Sequence, residues 1–379
     1  MSLFSYLVIL GRQPEFGLAE LESLLGSAAV SPFGRQAALV SDSVDVARLG
    51  GAVKVGRVLY RGQPASLREL PLDVTALPMG GSKTPFALSA YGLKAEPQAL
   101  KAAGLQLKKQ LRERGPVRLV APAKGLAVSA AELRHNRVIE DGFELLVVVA
   151  GNEMVVAQTT GVQDIDWYSQ RDYGRPGRSA KVGMLPPKLA QVLVNTTSAP
   201  VVVDPFCGTG VVLMEALLQG REVHGSDLAG EMVAATLTNL EWLDDRPETP
   251  TPLPRWVIKQ ADAREVRLPE GCAVVSEGYL GPNLSQSPTA GRLETIKSDI
   301  LALYKQSLMS WAVQLPSGAE VTLCVPAWRM GKNWSEVGLV DELSRLGYTF
   351  KRFSHVRTPL LYAREGQIVG RQVLFLRKV

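Results

Sequence analysis

Cysteine is scarce in this chain of 379 residues: Cys207, Cys272 and Cys324 stand far apart, with no CxxC spacing. That scarcity excludes a paired-cysteine zinc cluster and a disulfide framework, and it fits a reducing, cytoplasmic setting. Long apolar runs are also missing. A stretch such as Glu144-Leu-Leu-Val-Val-Val-Ala150 falls far short of the roughly 20 residues that span a bilayer. The N-terminus is apolar but lacks a basic flank and a small-residue cleavage site, so Leu3–Leu10 reads as a first strand rather than a signal peptide. His135, His224 and His355 are scattered, which leaves no Ser-His-Asp arrangement and no expected metal site. Repeats and low-complexity tracts are absent. What remains is a chain with 46% hydrophobic and 21% charged residues, long enough for two or three cores and too apolar to be disordered.

The formal charge is +5, and residues 1–178 hold most of the excess, with 21 basic and 17 acidic side chains. Lys101, Lys108, Lys109, Arg112, Arg114 and Arg118 are set against Glu113 alone. A stripe of that kind suits a phosphate backbone, and it equally suits a solvated helix face.

Periodicity divides the chain. Strand-like segments at 3–10, 37–40 and 53–60 surround a helical pattern at 16–25, an α+β unit over residues 1–65. A Pro- and Leu-rich connection, a strand near 86, an amphipathic helix over 98–113, a strand at 117–121, a short helix at 129–136 and a hairpin around Ala150-Gly-Asn-Glu153 form a second unit over 66–160. Residues 161–188, crowded with Gly, Pro, Arg and aromatics, read as an interdomain segment of fixed shape. From 189 to 379 strands alternate with helices, including expected helices at 292–313 and 336–346 and two closely spaced strands near 350–356 and 373–376. This predicts a doubly wound, mostly parallel α/β sheet with an antiparallel hairpin at one edge.

The most informative string is Val201-Val-Val-Asp-Pro-Phe-Cys-Gly-Thr-Gly-Val211. A buried strand ends at Asp204, Gly208 and Gly210 follow, and a helix opens. Glycines there let a ligand approach the backbone and the helix N-terminus. No Lys follows Gly210, which excludes a P-loop, and Leu213 stands where the dinucleotide fingerprint needs its third glycine. Asp204 would repel a pyrophosphate and attract a cation, such as the sulfonium or amino group of S-adenosylmethionine (SAM). Asp227 ends the next strand, placed to accept ribose hydroxyls, and Asp262 follows the third, placed for the adenine amine. Each of these acids could instead be a helix N-cap.

The string Asp204-Pro-Phe-Cys-Gly-Thr-Gly210 resembles motif I of SAM-dependent amino-methyltransferases. With Arg175-Pro-Gly-Arg178 and Met184-Leu-Pro-Pro-Lys-Leu-Ala190, the chain resembles the THUMP-domain tRNA guanosine N2-methyltransferase family over most of residues 81–379. The resemblance implies a ferredoxin-like region at 1–65, a THUMP-like RNA-binding region at 66–160 and a Rossmann-like methyltransferase domain at 189–379. It implies SAM as cofactor, held by Asp204, Phe206, Gly208, Gly210, Asp227 and Asp262. It implies tRNA as partner, touched by Lys108, Lys109, Arg112, Arg171, Arg175 and Arg178, although the last three could equally clamp the domain junction. Oligomeric state and a small activator subunit stay open.

The family carries [D/N/S]-P-P-[Y/F/W] after its fourth strand, where this chain reads Ser276-Glu-Gly-Tyr279. Ser276 and Tyr279 match the first and last positions. Glu277 and Gly278 replace both prolines. An exocyclic base amine is a poor nucleophile, so the site needs fixed acceptors for its N–H groups and an aromatic surface for the base. Ser276, Glu277 and Tyr279 are the expected catalytic residues, with Glu277 as acceptor carboxylate. The leading reading is methylation of guanine N2 in tRNA. The rivals are a DNA amino-methyltransferase and an RNA-binding relative without catalysis, with a NAD-dependent dehydrogenase far behind.

Overall fold

The computed structural model of the chain describes residues 4–80, 83–178, 185–284 and 286–379. They fall into two compact units, residues 1–165 and 166–379.

In the first unit, β1 (Tyr6–Leu10) leads into α1 (Pro14–Leu25), then β2 (Val30–Phe33), β3 (Ala37–Val40) and the long β4 (Ala52–Gly62). β5 (Thr84–Tyr91), α2 (Pro97–Leu111), β6 (Val117–Val120), the short α3 (Ala130–His135) and α4 (Val138–Asp141), β7 (Phe143–Ala150) and β8 (Glu153–Val162) follow. All eight strands join one sheet in the order β2-β3-β1-β4-β8-β7-β5-β6. The division expected near residue 65 therefore runs through one continuous sheet, because β4 pairs with β8 from Lys54↔Val162 to Gly62↔Met154. The hairpin expected at Ala150–Glu153 is present, with Gly151 at φ +56° making the turn. α2 buries Leu100, Ala103, Leu107 and Leu111 along one stripe, which leaves its basic residues on the opposite side.

This sheet also buries a charge pair. Lys54 on β4 and Glu144 on β7 are 1% and 0% exposed, with Nζ 2.5 Å from Oε1. Lys54 also donates to the Val128 carbonyl, and Ser89 and Thr159 donate to the two Glu144 oxygens. Burial lowers the Lys54 pKa, against the pull of Glu144.

The second unit opens with α5 (Ile165–Ser169), which runs on into a wider helical turn over Gln170–Gly174. α6 (Pro187–Asn195) precedes a strand–helix series: β9 (Val201–Asp204), α7 (Val211–Leu218), β10 (Glu222–Asp227), α8 (Gly230–Asp244), β11 (Trp256–Gln260), β12 (Cys272–Ser276), α9 (Ala290–Ala312) and β13 (Glu320–Met330). β14 (Asn333–Glu336), β15 (Tyr348–Phe350), β16 (Leu360–Tyr362) and β17 (Val369–Lys378) close the chain. The sheet order is β11-β10-β9-β12-β13-β17-β15. The first five strands are parallel, and β17 lies antiparallel between β13 and β15, the reversed edge that the sequence predicts. Strand order reverses direction at β9, and ligands of such sheets bind at that switch, beyond the carboxyl ends of the strands.

Two expectations need correction. No helix covers 336–346: a single 3-10 turn spans Leu339–Glu342, after Gly338 at φ +87°. Val337, Leu339, Leu343 and Leu346 mimic helical spacing but are buried as an irregular segment of the core. The expected interdomain segment 161–188 is not a separate element over its described residues. Residues 161–165 belong to the first unit, whose β8 ends at Val162, while in the second unit Arg171 pairs with Glu215 on α7 and Gly177 is hydrogen-bonded both ways to Asn239 on α8. Met184, in one of the quoted motifs, lies outside the described residues.

Candidate active site

β9 is apolar up to its last residue, Asp204, which is 1% exposed. Its Oδ1 accepts from the Phe206 amide at 3.1 Å and from the Ser276 hydroxyl at 2.6 Å. No described residue donates to Oδ2. Burial pushes the Asp204 carboxyl up to about 7, helped by the negative charges of Asp227 and Glu277 and opposed by its two hydrogen bonds.

The loop beyond Asp204 turns on Gly208 (φ +53°) and Gly210 (φ +81°). A Cβ on Gly210 would lie 2.9 Å from Thr236 Cγ2, so that glycine lets α7 approach α8. A Cβ on Gly208 would meet nothing within 4 Å, because the glycine borders open space. Asp227, ending β10, fixes the loop from the other side: Oδ2 accepts from the Gly208 amide and Oδ1 from the Ala229 amide, both at 2.9 Å. Asp262, just past β11, is engaged by Arg264, which holds its carboxyl below the usual range.

The loop after β12 is tied by hydrogen bonds rather than by prolines. Ser276 Oγ accepts from the Gly278 amide at 2.9 Å, and Tyr304 on α9 donates to the Tyr279 carbonyl at 2.8 Å and the Cys324 carbonyl at 3.3 Å. Gly278 has φ +68°, a value proline cannot reach, and a Cβ there would lie 2.4 Å from the Tyr304 hydroxyl. Glu277 pairs with Arg371 on β17: Nε and Nη2 stand 2.6 and 2.5 Å from the same oxygen, Oε1. Burial raises the Glu277 pKa, and Arg371 lowers it.

These strand ends open onto one cavity of about 940 Å³. Asp204, Phe206, Asp227, Asp262, Glu277 and Tyr279 line it, together with Gly208. The Phe206 ring is held edge-on by Tyr304 and Trp311, at 5.9 and 6.4 Å between centroids. Tyr279 is 46% exposed, so its ring is free to carry a base. Two expected site residues lie behind the wall. Gly210 shapes the helix junction, and Ser276, fully buried, spends its hydroxyl on Asp204 rather than facing a substrate.

Of the expected RNA contacts, Lys109 and Arg112 are exposed and Lys108 is half-buried on α2. Arg114 instead holds the Val74 and Leu77 carbonyls, and Arg118 holds Asn136. Arg171 and Arg175 are 3% and 1% exposed. Arg171 pairs with buried Glu215, and Arg175 donates to the Arg171 and Asp172 carbonyls. They brace the second unit and are not open to a phosphate backbone. Arg178 is exposed, 5.5 Å over the Tyr173 ring. The site residue that sequence reasoning missed is Arg371. Its signal was an Arg-Gln pair inside an otherwise apolar strand, Val369–Leu376.

The donor set fits a nucleoside-bearing sulfonium. An open glycine edge and three carboxylates from successive strand ends face a cavity of the right size, and among the described residues its two arginines, Arg264 and Arg371, are paired with Asp262 and Glu277.

Comparison with known proteins agrees. The UPF0020 family model, described as RMKL-like, methyltransferase domain, matches residues 175–318. The tRNA (guanine(10)-N2)-dimethyltransferase of Methanothermobacter thermautotrophicus is 33% identical over 148 residues, 38% of this chain and 39% of that protein. Its namesake from Pyrococcus abyssi is 32% identical over 130 residues, 33% of this chain and 34% of that protein. The matched stretch thus spans well under half the length of either relative. Among solved structures, TrmN from Thermus thermophilus superposes with a TM-score of 0.52 at 19% identity, covering 99% of each chain, a likeness of fold. The sheet order, the cavity at its switch point and the match over residues 175–318 make the second unit similar to the methyltransferase domains of the UPF0020, RMKL-like family.

Proposed function

We propose that the chain is a SAM-dependent N-methyltransferase whose acceptor is the guanine N2 amine of tRNA. The observation that carries this reading is the single cavity that gathers Asp204, Asp227 and Asp262 on one side and Glu277 with Tyr279 on the other. Bound SAM supplies a methyl group on a positively charged sulfur, open to in-line displacement by a nitrogen lone pair.

The chain's own residues provide the positioning. Asp204 offers its unshared Oδ2 to the cationic end of the donor. Asp227 has acceptor capacity left on both oxygens after its two amide bonds, enough for ribose hydroxyls. Asp262 shares its carboxylate between Arg264 and the adenine amine. On the acceptor side the Tyr279 ring stacks the base, and Glu277 accepts from its amine, drawing the nitrogen toward a tetrahedral geometry and taking its proton as the new bond forms. Fixed acceptors of this kind lower the barrier mainly by not needing to reorganise.

The curated relatives are named for guanine-N2 methylation of tRNA, which supports this choice of acceptor. The two hydrogen bonds that tie the loop at 276–279 speak against the reading without catalysis, which would suit a loose loop. Residues 66–160, with the Lys108, Lys109 and Arg112 stripe, serve in this proposal as the THUMP-like part that grips RNA. Incubation with tritiated SAM and unmodified tRNA tests the proposal: label is expected in methylguanosine. Absence of transfer to any RNA by protein that binds SAM excludes it.

A further inference from the structure

The pair Glu277–Arg371 is an unusual object to find on the wall of a substrate cavity. A buried ion pair normally satisfies most of its lone pairs and protons internally, because what stays unpaired costs desolvation without return. Here Arg371 is 4% and Glu277 17% exposed, and both line the cavity. Yet both guanidinium contacts fall on one oxygen, Oε1. Among the described residues nothing donates to Glu277 Oε2, and nothing accepts from Arg371 Nη1. The pair presents one open acceptor and one open donor to the cavity that the exposed ring of Tyr279 also lines.

We propose that Arg371 and Glu277 select the base: Arg371 donates to guanine O6 while Glu277 Oε2 accepts from guanine N1–H and the N2 amine. This rests on the methyltransferase reading above for the identity of the site, and adds which side chains choose the acceptor. The Watson–Crick edge of guanine runs acceptor, donor, donor, which a guanidinium beside a carboxylate complements in order. Adenine sets an amine where guanine has O6, and a lone pair at N1 where guanine has a proton. It would bring donor against donor and lone pair against carboxylate. Cytosine fails in the same way. Uracil satisfies two of the three contacts but has no amine to methylate. The arrangement also explains the loss of proline at 277. A carboxylate there supplies the recognition, while Gly278 at φ +68° and the Tyr304 hydroxyl supply the rigidity that prolines would otherwise give.

The test is base preference, which a purely structural ion pair would not set. Fluorescein-labelled CCGCC and CCACC RNAs are titrated by anisotropy into protein saturated with S-adenosylhomocysteine. About tenfold tighter binding of the guanine oligomer is expected, in the range of one good paired base contact. Arg371→Met strands Glu277 and can fail to fold, so the double variant Glu277→Gln with Arg371→Met, which removes both charges together, is measured beside it. Retained binding of S-adenosylhomocysteine reports that the donor side is intact. The expected result is loss of the preference to within about twofold in that double variant. The proposal is overturned if the wild type shows no preference, or if the double variant keeps it. Methyl transfer is read separately with tritiated SAM. Preference without transfer leaves the selection in place and removes the catalytic reading, whereas transfer to guanine with preference unchanged by the variants does the reverse.

Discussion

Lys54–Glu144 in the first unit and Glu277–Arg371 in the second both set a buried cation against a glutamate, and these two pairs are finished differently. Lys54 and Glu144 close on themselves: a carbonyl and two hydroxyls take up what the ion pair leaves over, and neither side chain lines the active-site cavity. Glu277 and Arg371 stop short, with an oxygen and a guanidinium nitrogen left over at the wall of the active-site cavity. Both pairs carry the desolvation cost of buried charge. The first recovers it inside the fold, and the second recovers it when a partner arrives. Between these two pairs, the one whose hydrogen bonds close inside the fold is away from the active-site cavity, and the one left open stands on its wall.

The strongest way to sharpen the contrast is to break the closed pair. Lys54→Met leaves Glu144 charged with only hydroxyl partners. It should cost about 3–5 kcal/mol in urea denaturation of the first unit, without altering SAM affinity. Breaking the rigid frame of the open pair is the next test. Gly278→Ala forces a Cβ against the Tyr304 hydroxyl at a positive φ, which should cost about 1–3 kcal/mol and lower methyl transfer while sparing SAM affinity measured by calorimetry.

A third test uses pH. Asp204 binds a proton in the folded state up to about pH 7, whereas its unfolded counterpart releases it near 4. Stability of the ligand-free protein thus falls as pH rises through that window and levels off above it. A cationic donor needs the ionised form, so SAM affinity should weaken roughly fivefold from pH 7 to pH 6 and be flat above pH 8. Asp204→Asn should bind more weakly and lose this slope. The smallest effect concerns the exposed stripe of the first unit. Replacing Lys108, Lys109 and Arg112 by Ala should weaken tRNA binding severalfold and reduce the slope of log affinity against log salt by about 2, with SAM binding unchanged.

Much of the second unit was readable because its signals are local. A strand ending in Asp204, a glycine turn and a helix lie within 18 residues, Val201–Leu218, and the acids at 227 and 262 end or follow the next strands. The α2 stripe and the 150–153 hairpin were equally local. What stayed hidden depends on distant pairing. Arg371 reaches Glu277 across 94 positions, and Lys54 reaches Glu144 across 90, so no spacing rule joins them. Arg171 and Arg175 look like an RNA-facing cluster in sequence, yet Glu215 on α7 draws Arg171 inward and backbone carbonyls take Arg175. The mistaken helix at 336–346 shows the converse. Apolar spacing was right about burial and wrong about the backbone, which Gly338 turns away.

Ser276 donates its one proton to Asp204 at 2.6 Å and receives the Gly278 amide on the same oxygen. Aspartate at 276 would set a second carboxylate against the first, both of them buried. The residue that opens the base-side loop and the residue that opens the donor loop, 72 positions apart, are thereby joined through one shared proton.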